Sequence, residues 1–234
     1  ISGTPAIQYL AAALPFLLLT FYLSVFHTFL FSALILLALP LSINLKNIEG
    51  GFGISLPGEI LIFTLTGLIL LNLIRGRYFN RQIIFHPVTI AILINMGWML
   101  ITTLNSTMPF VSFKFIFIRG TFILVFYLFF QQVFGNKKGI QQATALFAAS
   151  LSLVILFVLA RHARFGFIQQ INFYVPQPFF NDHTIYGATI AMIIPVFVVS
   201  SGLPDRERLL PGFISWIMLP FLLGAVFFSY SRAV

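Results

Sequence analysis

Residues 1–45 read ISGTPAIQYLAAALPFLLLTFYLSVFHTFLFSALILLALPLSINL, and none of them is Lys, Arg, Asp or Glu. As one helix, this run would be about 68 Å long at about 1.5 Å per residue, more than twice a bilayer core of about 30 Å. It is too long for one span and too apolar for a soluble loop, so the solvent around it is lipid. The remainder agrees. Of the 234 residues, 59% are hydrophobic and 8% charged, and mean hydropathy is +1.02, whereas a soluble domain carries about 25% charged residues. In lipid each segment must satisfy its own backbone, which favours helices. A transmembrane β-barrel needs short alternating segments, and the runs here are continuous. The expected fold is an all-α, polytopic integral membrane bundle, one helical domain over 1–234.

Breaks in hydrophobicity predict eight helices, at about 6–24, 28–42, 58–74, 88–104, 115–133, 141–160, 184–201 and 212–230. The first two are expected to form a hairpin turning near Ser24–Thr28. Pro5, Pro57, Pro87 and Pro211 lie near proposed helix starts, where a missing N–H matters little. Pro15 and Pro195 fall inside spans and are expected to kink them. No internal repeat is visible. The chain opens on Ile1 without a basic leader and stops at "FFSYSRAV" (227–234) as a span ends, so it is expected to continue at both ends.

With no Cys there is no disulfide framework or thiolate site. The formal charge of +8 concerns loops and anionic partners such as lipids. Nothing resembles a basic, aromatic-studded nucleic-acid surface. Alternating spans place Arg75, Arg77, Arg81, Lys137, Lys138, Arg206 and Arg208 on one side. Lys46, Lys114, Arg119, Arg161, Arg164 and Arg232 fall on the other. The first set clusters in compact polar turns ("RGRYFNR", "GNKKG", "DRERLLPG") and is assigned to the cytoplasm. The second would face outside, against the usual bias. It is rationalised either by an anion bound there or by snorkelling to lipid phosphates.

The longest loop, "ARHARFGFIQQINFYVPQPFFNDHT" (160–184), carries Arg161, His162, Arg164, Asp182 and His183. If the preceding helix continues, Arg161 and Arg164 share a face and suit a pyrophosphate through their planar forks. Equally, they could end that helix against its dipole. Asn181 or Asp182 could cap the helix that follows, bind a metal, or belong to a site for a polar substrate. His183 could act as a base, donate to a sugar hydroxyl, or simply sit at the interface. Asp182, His183 and His162 lack zinc-type spacing, so no metal is expected. Arg119, inside "FKFIFIRGTF", and Arg232 lie close to membrane depth, where a guanidinium needs a partner or a wet cavity. Lys114 reads as a snorkelling residue. Glu59 could favour its helix dipole or pair with an outward Arg. His27 and His86 read as structural. No GxSxG, Walker A or DxD motif appears.

Three stretches together resemble the O-antigen ligase and polymerase family of bacterial envelope proteins. They are "GGFGISLPGEIL" (50–61) with Pro57 and Glu59, "NDHTIYGATIAMIIPVF" (181–197) with Asp182–His183, and "FFSYSRAV" with Ser231–Arg232–Ala233. The resemblance covers the N-terminal portion of a family member. It implies a GT-C-like glycosyltransferase, metal-independent, inverting and without a cofactor, in the bacterial cytoplasmic membrane. Such an enzyme moves a glycan from an undecaprenyl-pyrophosphate carrier to lipid A–core or a growing polysaccharide on the external face. Arg232 would contact the pyrophosphate with Arg161 and Arg164, and Arg119 and Glu59 would support the site. Asp182 and His183 are catalytic candidates, although the family's large external loop, with its important His, would follow Val234. Two other classes remain open: a transporter or flippase of an anionic lipid-linked glycan, and a non-catalytic membrane subunit.

Overall fold

The computed structural model describes residues 18–45, 54–76, 79–204, 208 and 210–231. The first helical stretch, α1, covers 18–26. It is followed by α2 (Thr28–Leu41), β1 (Ile43–Leu45), β2 (Ile54–Leu56), α3 (Gly58–Ile74), the short α4 (Arg81–Ile84) and α5 (Pro87–Leu104). Then come α6 (Pro109–Phe134), α7 (Lys137–Ala163), α8 (His183–Gly202) and α9 (Gly212–Phe228). Helices α5 to α8 are long and apolar enough to cross a membrane; α2, α3 and α9 are shorter and equally apolar. The chain is thus an all-α membrane-type helical protein, with one small antiparallel hairpin pairing Ile43 with Leu56 and Leu45 with Ile54.

The predicted helices from 28 onward recur with shifted ends, and of the predicted 6–24 helix residues 6–17 lie outside the described residues. Helix α7 begins four residues before its predicted start and ends three after its predicted end. Asn136 caps it by accepting from the Gly139 amide, and its polar ends extend beyond the apolar stretch that hydropathy detects. Helix α6 starts at Pro109, in the favoured first-turn position, and includes a π-helical stretch at Ile123–Phe129. Four phenylalanines at four-residue spacing, Phe122, Phe126, Phe130 and Phe134, pack successively at centroid separations of 5.6, 5.0 and 5.3 Å.

The expected hairpin at Ser24–Thr28 is not formed. Only His27 separates α1 from α2. Its amide donates to the Leu23 carbonyl and its own carbonyl accepts from Phe31, both at 2.9 Å. Reversing two helices takes a loop of about two to five residues, so one residue that keeps these helical hydrogen bonds does not turn the chain back. Pro195 lies inside a helix as expected, as do Pro40 and Pro220. Pro87 and Pro211 sit at helix starts. Pro5 and Pro15 lie outside the described residues.

The chain divides into two compact units, residues 1–32 with 60–135 and residues 33–59 with 136–234. In the first, α5 and α6 pack together and the Tyr127 hydroxyl lies 2.8 Å from the Thr89 hydroxyl. In the second, α7, α8 and α9 enclose Leu151, Val154, Ile155, Ile190, Phe197 and Leu222. Small residues, including Ala148, Ser150, Ser215 and Ala225, are buried there as well. Lipid offers apolar surfaces no less than a neighbouring helix does, so helices associate by close packing, which small residues permit.

Candidate functional site

In the second unit one end of the helices is closed by a polar, aromatic cap. The chain leaves α7 through Gly166 and Phe167, both in the left-handed region (φ 66° and 55°). It folds over the helix ends and re-enters at α8. The β-hairpin is tied to this loop: the Asn44 amide donates to the Pro178 carbonyl (3.0 Å) and the Asn44 side chain to the Phe179 carbonyl (2.9 Å). Ser42 supports the hairpin's exit, its hydroxyl accepting from the Gly58 amide at 3.0 Å.

Asp182 is the N-cap of α8. One carboxylate oxygen accepts from the amides of Thr184 (2.8 Å) and Ile185 (2.9 Å). Of the sequence alternatives, helix capping is the role this geometry displays. His183 follows in the first turn. Its ring meets Phe173 edge-on at 6.3 Å, and its Nδ1 is buried with no hydrogen-bond partner among the described residues. One turn on, Tyr186 is 1% exposed, and its hydroxyl is likewise buried and unpartnered among the described residues.

Gly187 brings the third motif in. A Cβ at this position would lie 2.8 Å from the Ser229 hydroxyl and 3.3 Å from Ser231 Cβ. The start of α8 therefore touches the turn that ends α9. That turn is tied down from several directions. The Asn172 side chain donates to the Ser229 carbonyl. The Tyr230 hydroxyl donates to the Phe167 carbonyl at 2.9 Å. His162, 1% exposed, lies against Phe167 and Tyr230, with its Nε2 3.2 Å from the Ile168 carbonyl. Tyr230 adopts φ 50°, strained for a residue with a Cβ. Ser231 Oγ is a further buried polar atom without a partner among the described residues. Buried polar atoms are normally hydrogen-bonded. His183 lies one turn before Gly187 on the same helical face, Tyr186 is Gly187's neighbour in the chain, and Ser231 belongs to the α9 turn that Gly187 meets, so the three residues with such atoms come from the two segments that make this contact.

Arg161 and Arg164 reach the same end from the last turn and cap of α7. Arg161 donates to the Gln177 carbonyl within the loop. Arg164 is exposed, and its guanidinium has no partner among the described residues. The two cations thus share an end but not a task. Arg232 lies outside the described residues, immediately after Ser231. Glu59 occupies the first turn of α3, favourable to the helix dipole. Arg119 belongs to the other unit, in a groove between α5 and α6. His86 is structural as expected, its Nδ1 accepting from the Val88 amide. Among the described residues no group of three or more His, Cys, Asp or Glu is placed to hold a metal ion.

The opposite end of this unit is built differently. Gln141 donates to the Arg208 carbonyl at 2.7 Å. Ser200 accepts from the Leu210 amide at 3.1 Å. Lys137, Lys138 and Arg208 therefore lie at the far end of these helices from Arg161 and Arg164, as alternating spans require.

Sequence reasoning singled out Asp182, His183 and the Ser-Arg motif. It did not identify Tyr186, Asn172, Tyr230 or Phe167 as parts of the cap. Tyr186 carries a usable signal, a polar tip three residues after a His in an apolar run. Asn172 and Phe167 carry none, because their roles depend on the path of the loop. No protein-family model, curated protein or solved structure matches the chain.

Proposed function

We propose that this chain is part of a membrane glycosyltransferase of the O-antigen ligase and polymerase kind. Its donor is a glycan on undecaprenyl pyrophosphate, its acceptor is lipid A–core or a growing polysaccharide, and it works at the external face of a bacterial cytoplasmic membrane. The observation that carries the reading is the contact of Gly187 with Ser229 and Ser231. Two stretches quoted for the resemblance, separated by a whole span, meet there beside orphaned polar atoms and at the same end as Arg161 and Arg164.

In the proposed reaction the acceptor hydroxyl oxygen forms a bond to the anomeric carbon. The bond from that carbon to the pyrophosphate oxygen breaks, and its electron pair leaves with the lipid pyrophosphate. The hydroxyl proton passes to a base, for which His183 Nδ1 is the candidate on this chain. Negative charge grows on the leaving group, so fixed guanidiniums stabilise the transition state more than the ground state. Arg164, exposed and without a partner among the described residues, is placed to do this. Arg232, next to Ser231, is the second candidate by resemblance. Arg161 holds the loop through Gln177 and adds its charge to the field. Asp182 sets the start of α8 and thereby the position of His183.

The test is transfer of a radiolabelled glycan from its polyprenyl-pyrophosphate carrier by the full chain in membranes. His183→Ala and Arg164→Ala are each expected to lower transfer by about 100-fold, the range for a lost general base or oxyanion-type donor. Transfer unchanged in both variants would overturn the assignment.

A further inference from the structure

The first unit carries a feature that the proposed reaction does not use. Between α5 and α6 runs a groove of about 940 Å³, walled by Phe115, Phe122 and Phe126 and holding Asn95, Arg119 and Tyr127. Tyr127 is engaged by Thr89. Asn95 and Arg119 are exposed, and neither side chain has a partner among the described residues. Their depth is the unusual point. Asn95 is at the centre of the 18-residue α5. A Cβ on Gly120 would lie 3.7 Å from Met96, so Arg119 is level with that centre. On α6, Arg119 is about 15 Å from the nearer end, counted at about 1.5 Å per residue.

A guanidinium at this depth requires a counter-charge or water. The unit that contains it, residues 1–32 and 60–135, has Arg75, Arg77, Arg81, Lys114 and Arg119 and no Asp or Glu. The chain's five acidic residues, Glu49, Glu59, Asp182, Asp205 and Glu207, all fall outside that unit, and the two described ones, Glu59 and Asp182, stand at helix starts. Lipid phosphates lie about 15 Å from the centre of a bilayer whose core is about 30 Å thick, beyond the reach of an arginine side chain. The source of negative charge that matches the depth is a carboxylate on another membrane-spanning helix. The aromatic walls suit the apolar remainder of such a helix, and Asn95 supplies a hydrogen bond beside the charge pair.

We propose that the α5–α6 groove is the docking site for a transmembrane helix of a partner protein that carries an Asp or Glu at mid-membrane depth, paired with Arg119. This is independent of the glycan-transfer reading, because it rests on the other unit.

The test uses the full chain in phosphatidylcholine vesicles. The chain has no Cys, so Thr107→Cys in the exposed α5–α6 turn gives a single fluorophore site. The probe is a leucine-based transmembrane peptide with an acceptor dye and one central Glu, Gln or Leu. The Glu peptide is expected to associate at least tenfold more tightly than the Leu peptide. Arg119→Leu should abolish the difference, and Arg119→Glu should transfer the preference to a peptide with a central Lys. That gain of binding keeps the test decisive if the leucine variant folds poorly. Equal association of Glu and Leu peptides would overturn the proposal. So would equal association of Glu and Gln peptides, which needs only a hydrogen bond. Displacement of the Glu peptide by phosphatidylglycerol would also overturn it, assigning Arg119 to lipid headgroups.

Discussion

Asp182 commits one carboxylate oxygen to two backbone amides, so its role as an N-cap accounts for its place before an apolar helix. Capping residues contribute about 1 kcal/mol each. Asp182→Asn is therefore expected to keep both fold and glycan transfer. Asp182→Ala should lose about 1 kcal/mol in chemical denaturation measured in micelles. A large loss of transfer in Asp182→Asn would instead give the carboxylate a chemical role. Gly187 supports a sharper contrast. A Cβ there meets Ser229 and Ser231, whereas a Cβ at Gly224 or Gly202 meets nothing within 4 Å. Gly187→Ala should displace the turn before Arg232, destabilise by about 1–3 kcal/mol and depress transfer, while Gly224→Ala leaves both unchanged. Arg164 separates function from structure differently. It is exposed and has no partner among the described residues, so Arg164→Ala is expected to change stability by less than about 0.5 kcal/mol while lowering transfer. At this scale the sequence exposed the charged candidates, because a charge in an apolar chain is conspicuous. It did not expose Gly187 as a contact point, since a close approach between helices leaves no mark in composition.

At the scale of the element, apolar length was the readable quantity. Seven helices with apolar cores near those predicted are present, and their starts and stops differ where polar side chains extend them. Asn136 is the clearest case: its side chain accepts from the Gly139 amide and starts α7 among residues that hydropathy counts as loop. Asn136→Ala should lower unfolding free energy by about 1 kcal/mol, read in the same micellar denaturation. The π-helical stretch of α6 and the passage from α1 to α2 through His27 without a reversal were not legible. A π-turn has the same composition as the α-turns around it. Ser24 to Thr28 contains no Gly or Pro by which a continuation and a reversal could be told apart. The short β-hairpin escaped for another reason. Its strands have three residues each, too few for alternation to register, and its ties run to a loop far away in sequence.

At the scale of the whole molecule, what was legible was the solvent. A charge-free run of 45 residues forces a membrane setting, and that setting forces helices. Sidedness follows more weakly. The positive charges divide almost evenly between the two ends of the spans, and only their clustering distinguishes them. The structure supplies an internal ruler, because Lys137, Lys138 and Arg208 lie at one end of α7–α9 and Arg161 and Arg164 at the other. The most direct measurement is thiol labelling of single-cysteine variants, Lys138→Cys and Arg164→Cys, in intact cells with a membrane-impermeant maleimide. Labelling at 164 and protection at 138 is the result expected if the guanidiniums face an extracytoplasmic lipid pyrophosphate. Labelling at 138 with protection at 164 would put those cations in the cytosol and contradict the proposed reaction.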